Sequence, residues 1–493
     1  MLTSVFYRAA MILTGLIVQK HILSTFGSSV NGVTSSISQF LSYLVLLEAG
    51  IGAATVQSLH KPLKDGDFQA VSARFAAGKR MYNRAGALFL LFLAVISAVL
   101  PILTFGELSP LNVALLTLIS GIGNVFAYLF IGKFSSLLLA DSRSGVLYLT
   151  DSVSVIASCA IRVALIRSGA DILIVQSVQP IIVLLRALTV FIYVRIKYPC
   201  LNGKAEPDMT FASKRRSAMT HQIAGLVVNH TDVTILTALS TLKNVSLYSV
   251  YSYIYSSIQT LFETVFHQAL IGDFGKAAAV GKEEFNRRFT LFEAVYNIAL
   301  YLTLTLALCL TLPFISLYTK GITDVEYINA WLAALFCLNL FMNLIRLPSI
   351  VAVTAYGYFK ETEKSAIIEC AVNLGVSLML YPFIGIYGLL IGTFTAFLFR
   401  TQDSIRFIYR RCGLPYSQLL RANIGNMAAS AAITVFTFVL FPINAESWLE
   451  WLLYAVALGL TSLAVFAVAN LAVNRRPFFD FWNELRRKRG NHQ

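Results

Sequence analysis

Asp151, Ser154, Ser158 and Arg162 recur at intervals of three and four residues, so in a helix they share one face. Gln176, Gln179 and Arg186 do the same around Pro180, a residue that kinks helix interiors. Thr117, Asn124 and Tyr128 align, as do Gln222, Asn229 and Asp232. The longest polar stripe is Ser249, Ser252, Ser256, Gln259, Glu263 and His267; two further ones are Asn339, Asn343 and Arg346, and Glu369, Asn373 and Ser377. All of them lie inside apolar stretches. A charge at mid-bilayer costs roughly 2.5–3.5 kcal/mol on insertion scales, so such groups face a cavity or a partner. Repeated over at least five helices, the stripes imply a hydrated central cavity.

Plainer readings accompany each residue. Arg162 and Arg346 lie near enough to their span ends to snorkel, whereas Arg186 is deeper. Asp232 and Glu263 would serve equally as helix glue or an ion pair. The serines alone are packing residues as often as ligands, and Gly388 with Gly392 reads as a packing face rather than a gate. Lys20 and His21 are interfacial. Asn229-His230-Thr231 matches a glycosylation sequon but falls within a span.

Familiar catalytic chemistry is missing. Gly272-Asp273-Phe274-Gly275-Lys276 is too short for a phosphate-binding loop and lacks the following Ser or Thr. Neither HExxH nor GxSxG occurs, and short loops leave little room for a catalytic pocket, so the chain reads as no enzyme. The six cysteines form no CxxC pair, so no metal site, disulfide or cofactor is expected.

The elements that must position these residues are membrane helices. Of 493 residues, 57% are hydrophobic and only 13% charged, against about 25% charged in soluble domains. Apolar runs near the ~18-residue spanning threshold recur throughout. The expected fold class is an all-α polytopic membrane protein of about fourteen transmembrane helices: 3–25, 33–58, 84–104, 111–133, 146–166, 171–194, 219–240, 247–271, 291–318, 327–350, 365–383, 385–408, 422–441 and 451–473. The first run has no small-residue cleavage site, so no cleavable signal peptide is expected.

The formal charge of +14 is placed for topology and not for nucleic acid. Lys and Arg crowd alternate loops, including Lys61, Lys64, Arg74, Lys79 and Arg80, then Arg195, Lys197, Lys204, Lys214, Arg215 and Arg216. The intervening loops hold little beyond Arg167, Lys243 and Lys320. The positive-inside rule then puts both termini in the cytoplasm, and the basic tail on anionic membrane lipids.

The domain reading follows. Residues 1–194 form a six-helix lobe, 195–218 a basic linker, 219–411 a second six-helix lobe, 412–473 an additional helix pair and 474–493 a basic tail. The lobes share one orientation, a parallel pseudo-twofold repeat. A short echo supports duplication: Leu23-Ser24-Thr25 and Leu239-Ser240-Thr241 are identical and stand at matching places in two hairpins. The first hairpin, Leu23–Leu59, turns through Phe26–Gly32, where glycine can take positive φ. Its second helix carries Ser35, Ser36, Ser38 and Ser42 and closes on Glu48-Ala49-Gly50-Ile51-Gly52-Ala53-Ala54.

With its closing GIGAA, that hairpin resembles the start of the O-antigen (Wzx-like) polysaccharide flippases of the multidrug/oligosaccharidyl-lipid/polysaccharide exporter (MOP) superfamily. Lys61–Asp67 and Asn229-x-x-Asp232 followed by Val245–Ile254 also fit. The chain departs in its short segment before the first helix. Its fourteen spans exceed the family's twelve, and the pair 422–473 is more like a lipid II flippase. The resemblance implies a bacterial cytoplasmic-membrane transporter that moves an undecaprenyl-pyrophosphate-linked oligosaccharide by alternating access. It implies polysaccharide polymerase and glycosyltransferases as partners. Under it, Arg162, Arg186 and Arg346 bind pyrophosphate or acidic sugar, and Gln176, Gln179 and Asn124 bind glycan. Asp232, Glu263, His267 and Glu369 couple to Na+ or H+. The rival readings are a cation-coupled multidrug antiporter of the same superfamily and a non-transporting membrane scaffold.

Overall fold

The computed structural model describes residues 2–48, 50–104, 106, 108–202, 205–208, 216–440, 443 and 445–473. The basic tail, Lys204, Lys214, Arg215 and the side chain of Gln222 lie outside the described residues. The described chain is helical, without strands.

Helix α1 (Leu2–Tyr43) is two helices joined at Gly27, whose φ of 84° is open to glycine at little cost. The expected turn Phe26–Gly32 therefore contracts to one residue. Gly32 keeps helical geometry and serves instead in close packing: a Cβ there would lie 2.0 Å from the Leu242 carbonyl oxygen. The second expected span is broken. A 3-10 turn (Leu44–Glu48) and left-handed Gly50 precede α2 (Ile51–Asp65). Then come α3 (Phe68–Leu103), α4 (Pro110–Phe126), a π turn (Ala127–Ile131), α5 (Gly132–Ala140), α6 (Ser144–Arg167) and α7 (Ile172–Lys197).

After α8 (Arg216–Leu239) and α9 (Leu242–Phe262), a second π turn (Glu263–Gln268) leads into α10 (Ile271–Val280) and α11 (Lys282–Tyr318). The expected tenth span divides at Arg346 into α12 (Ala330–Ile345) and α13 (Leu347–Tyr356), with Pro348 in the first turn of α13. Next are α14 (Glu363–Ile384), α15 (Ile386–Cys412), α16 (Tyr416–Leu440) and α17 (Trp448–Val473).

Ten described helices are long and apolar enough to cross a membrane. Kinked α1 supplies two of the expected spans. Helices α8, α9 and α15 account for the others: α8 has a shorter described apolar stretch, Ile223–Leu239, and polar residues dilute the apolar windows of α9 and α15. Several helices outrun their apolar runs: α3 starts sixteen residues before the expected span at 84. Lys, Arg and Glu are good helix formers, so the helix continues past the apolar stretch.

The chain forms two compact units, Met1–Tyr253 with Ile322–Val325, and Ile254–Gly321 with Glu326–Gln493. The expected boundary at 195–218 is not where contacts thin. Within the first unit Asn202 N–H donates to Ser72 Oγ (3.0 Å) and Arg74 pairs with Asp208 (3.5 Å), so these described linker residues lie on α3. Helices α8 and α9 are tied to α1 by Asn31–Ser246 (2.7 Å), Ser36–Thr237 (2.7 Å) and Tyr43–Thr234 (2.9 Å). Ser36, and Ser42 through His230 (3.2 Å), thus act as helix glue, whereas Ser38 bonds back to the Thr34 carbonyl of its own helix.

The first unit is centred on Ile37, Phe89, Leu93, Val113 and Val175. In the second unit an aromatic cluster joins Phe266, Phe274, Phe285, Phe289, Phe292 and Tyr296. Gly388 and Gly392 are packing glycines, as expected: a Cβ on Gly392 would sit 2.2 Å from Ser377 Oγ.

Candidate substrate and coupling sites

In the first unit, α6 and α7 are the elements that hold the charged stripe. The Asp171 carboxylate accepts from Leu173 N–H (2.8 Å) and so caps α7. Pro180 lies against Gly123 of α4, 3.4 Å from where a Cβ would stand. Three rungs join the two helices. Arg186 pairs with Asp151 at 2.8 Å, Arg162 donates to Gln176 Oε1 at 2.7 Å, and Ser158 donates to Gln179 Oε1 at 3.1 Å. Six of the singled-out residues thus meet side to side. Asn124 is exposed and joins none of these rungs.

The rungs differ electrically. Arg186 has a carboxylate, while Arg162 has only an amide, so its charge is uncompensated by any ion pair among the described residues. The Nε of each is shielded from solvent without a partner. An arginine in this setting attracts an anion and offers it fixed donors.

Asp232 of α8, assigned by sequence to the second lobe, belongs to the first unit, where Tyr248 donates to its Oδ2 at 2.6 Å. Another carboxylate in this unit escaped notice. Glu48 accepts from Tyr82 (3.3 Å), which also meets Ser136 (3.0 Å), and it faces Tyr128. Glu48 stands in the first hairpin, but its partners come from α3 and a π turn, which no local spacing reveals.

In the second unit, Arg346 and Glu369 form one ion pair (2.5 Å), although sequence gave them separate roles. Arg400 of α15, not singled out, approaches the other Glu369 oxygen at 3.5 Å. The Arg346 guanidinium also lies over Phe397, 4.6 Å from the ring centroid. Glu263 accepts from Gln259 at 2.9 Å within the same helical run, and His267 stands 3.4 Å from Thr354. Both lie in the second π turn, a backbone irregularity frequent at functional sites.

No family profile and no curated protein matches the sequence. Solved structures do match. The chain is similar to a multidrug resistance MATE family transporter of the MOP superfamily in an inward-facing conformation: TM-score 0.63, 11% identity, 83% of this chain and 98% of that one. The fold is that of the MATE transporters. A eukaryotic MATE transporter aligns with TM-score 0.57 and 12% identity over 82% of this chain and 93% of its own. A MOP superfamily transporter from Pyrococcus furiosus, described as having a binding pocket of reversed polarity, aligns with TM-score 0.52 and 12% identity over 82% and 95%. The expected superfamily fold is therefore found, and these neighbours are transporters, not enzymes. The chain is a multi-pass membrane protein.

Proposed function

We propose that this protein is a secondary transporter that exports an amphiphilic organic solute by alternating access, coupled to a gradient of Na+ or H+. The observation that carries the reading is a MATE fold with ionisable side chains held inside its spans, Asp151 and Arg186 foremost. Membrane-embedded charges of this kind mark substrate and ion pathways. A multidrug-type cargo is supported by the solved neighbours. Asp232, Glu263, His267 and Glu369 remain the proposed coupling groups, and the charge bias of the loops supports cytoplasmic termini in a bacterial plasma membrane.

A second reading has its own observation. Arg162 carries a positive charge with no acidic partner among the described residues, which suits the pyrophosphate of a lipid-linked oligosaccharide. Under this reading Arg162, Arg186 and Arg346 meet anionic groups and Gln176, Gln179 and Asn124 the glycan, with glycosyltransferases and a polymerase as partners. Reconstituted vesicles separate the two. An imposed Na+ or H+ gradient should drive efflux of a lipophilic cation under the first reading. Under the second, the same vesicles flip a short-chain lipid-pyrophosphate-linked sugar, and Arg162→Gln stops it. Vesicles that move neither cargo would refute both.

A further inference from the structure

Glu293 lies in α11, outside every group assigned above. Thr290 and Asn297 stand three residues before it and four after, on the same helix face. These three line a cavity of about 30 Å³ together with Tyr409 of α15 and Leu414, Pro415, Leu419 and Ala422 at the start of α16. The Tyr409 hydroxyl donates to Glu293 Oε2 at 2.5 Å. No lysine, arginine or histidine pairs with Glu293 among the described residues. The nearby basic groups are engaged elsewhere: Arg287 and Arg288 pair with Glu284, and the Lys282 amine lies beside Gly413. The other titratable neighbours are Tyr416, whose ring lies 6.0 Å from that of Tyr409, and Cys412.

Asn297 is the independent observation. It is only 6% exposed, lines the cavity, and its side-chain amide makes no hydrogen bond to protein among the described residues. Thr290 turns its hydroxyl proton back to the Asn286 carbonyl oxygen (2.9 Å), leaving lone pairs. The cavity is thus walled by a carboxylate, an amide and hydroxyl oxygens, with room for about one water-sized guest. A half-buried carboxylate without a paired cation is costly, and hard oxygen donors suit a small hard cation.

We propose that Glu293 is the centre of a monovalent cation site, taking H+ or Na+, at the joint where α11 and α15 meet the additional pair α16 and α17. The joint is built to report occupancy. Along the same face of α11, Tyr301 bonds Asn423 Oδ1 (2.8 Å) and Thr305 bonds Ser430 (2.8 Å), both on α16. Asn426 and Asn470 then tie α16 to α17 (3.0 Å). A neutralised Glu293 lets the first turn of α16 seat against it.

The full chain in lipid nanodiscs supplies the test, with no transport assay involved. Thermal unfolding is followed as choline is replaced by Na+, and infrared spectra monitor protonated carboxyl groups at neutral pH. With Na+ as the guest, the midpoint rises saturably. Glu293→Gln abolishes that rise, and Asn297→Ala raises the half-saturating Na+ concentration about ten-fold, the equivalent of ~1.4 kcal/mol. With H+ as the guest, Na+ has no effect and a protonated-carboxyl band disappears in Glu293→Gln. Should Glu293→Gln fail to fold, Asn297→Ala reads both arms through the Na+ titration and a shifted carboxyl band. A wild-type chain with neither a Na+ response nor a band that these variants alter overturns the proposal.

Discussion

Two regions carry arginine–carboxylate pairs between helices, and they are built differently. Between α6 and α7 the contact is made by long side chains: one ion pair, one arginine–amide bond and one serine–amide bond. The ion-paired side chains are 17% and 19% exposed. Between α14 and α15 the backbones themselves touch at Gly388 and Gly392, Asn373 bonds Thr393 (2.9 Å), and the Glu369 carboxylate faces both Arg400 of α15 and Arg346 of the α12–α13 junction. Arg346, Arg400 and Glu369 are only 10–12% exposed. The first arrangement leaves donors to spare beside a chain of amides, which suits ligand exchange. The second is tight and charge-crowded, which suits a rigid element whose carboxylate is already committed. Among the proposed coupling groups, Glu369 is therefore the one whose role most needs its arginines to let go.

Breaking the tighter region should cost most. Glu369→Gln leaves Arg346 and Arg400 without their shared acid, and a loss of roughly 3–5 kcal/mol is expected, read as a large fall in thermal midpoint and in folded yield. Gly392→Val tests the backbone contact alone. Its side chain meets the Ser377 backbone, and overpacking of this kind should cost about 2–3 kcal/mol without touching a charge. Asp151→Asn in the looser region should cost about 1 kcal/mol, and the swap Asp151→Arg with Arg186→Asp should recover most of it. If Asp151→Asn proves as damaging as Glu369→Gln, the contrast between the regions fails.

The smallest effect concerns a carboxylate outside the spans. Asp324, in the α11–α12 connection, accepts from Ser28 N–H (2.9 Å) and Ser28 Oγ (2.7 Å), capping the helix that restarts after Gly27. Burial alone would raise its pKa, but the Ser28 hydroxyl and backbone bonds outweigh it and hold the carboxyl below its ordinary value. A depressed folded-state pKa means the cap contributes fully above the unfolded value of about 3.9 and is lost as pH falls through the folded one. Amide exchange at Ser28–Asn31 should therefore quicken at low pH in the wild type, and be fast at every pH in Asp324→Asn.

Much of the layout was legible because lipid punishes unpaired backbone and charge, which forces long apolar helices wherever the chain crosses. The stripe on α6 and its match on α7 were readable from three- and four-residue spacing, and those stripes do meet. The Gly388–Gly392 contact was readable for the same reason. Partners from distant helices were not readable. Glu48 finds Tyr82 and Tyr128, and Glu369 finds Arg346 and Arg400, through packing that no window of sequence contains. The placement of Asp232 with the first unit was hidden likewise, since it depends on hydroxyl pairs between α1 and α8 spaced about two hundred residues apart.

The amino-acid order by itself determined that this is a helical membrane protein, where most spans fall and which faces are polar, because each follows from local hydropathy and the 3.6-residue helical period. Tertiary structure alone decided which charge neutralises which, leaving, among the described residues, Arg162 without an acid and Glu293 beside an Asn297 amide without a partner. Electrostatic pairing acts through space, and residues remote in the chain become neighbours only when the helices pack.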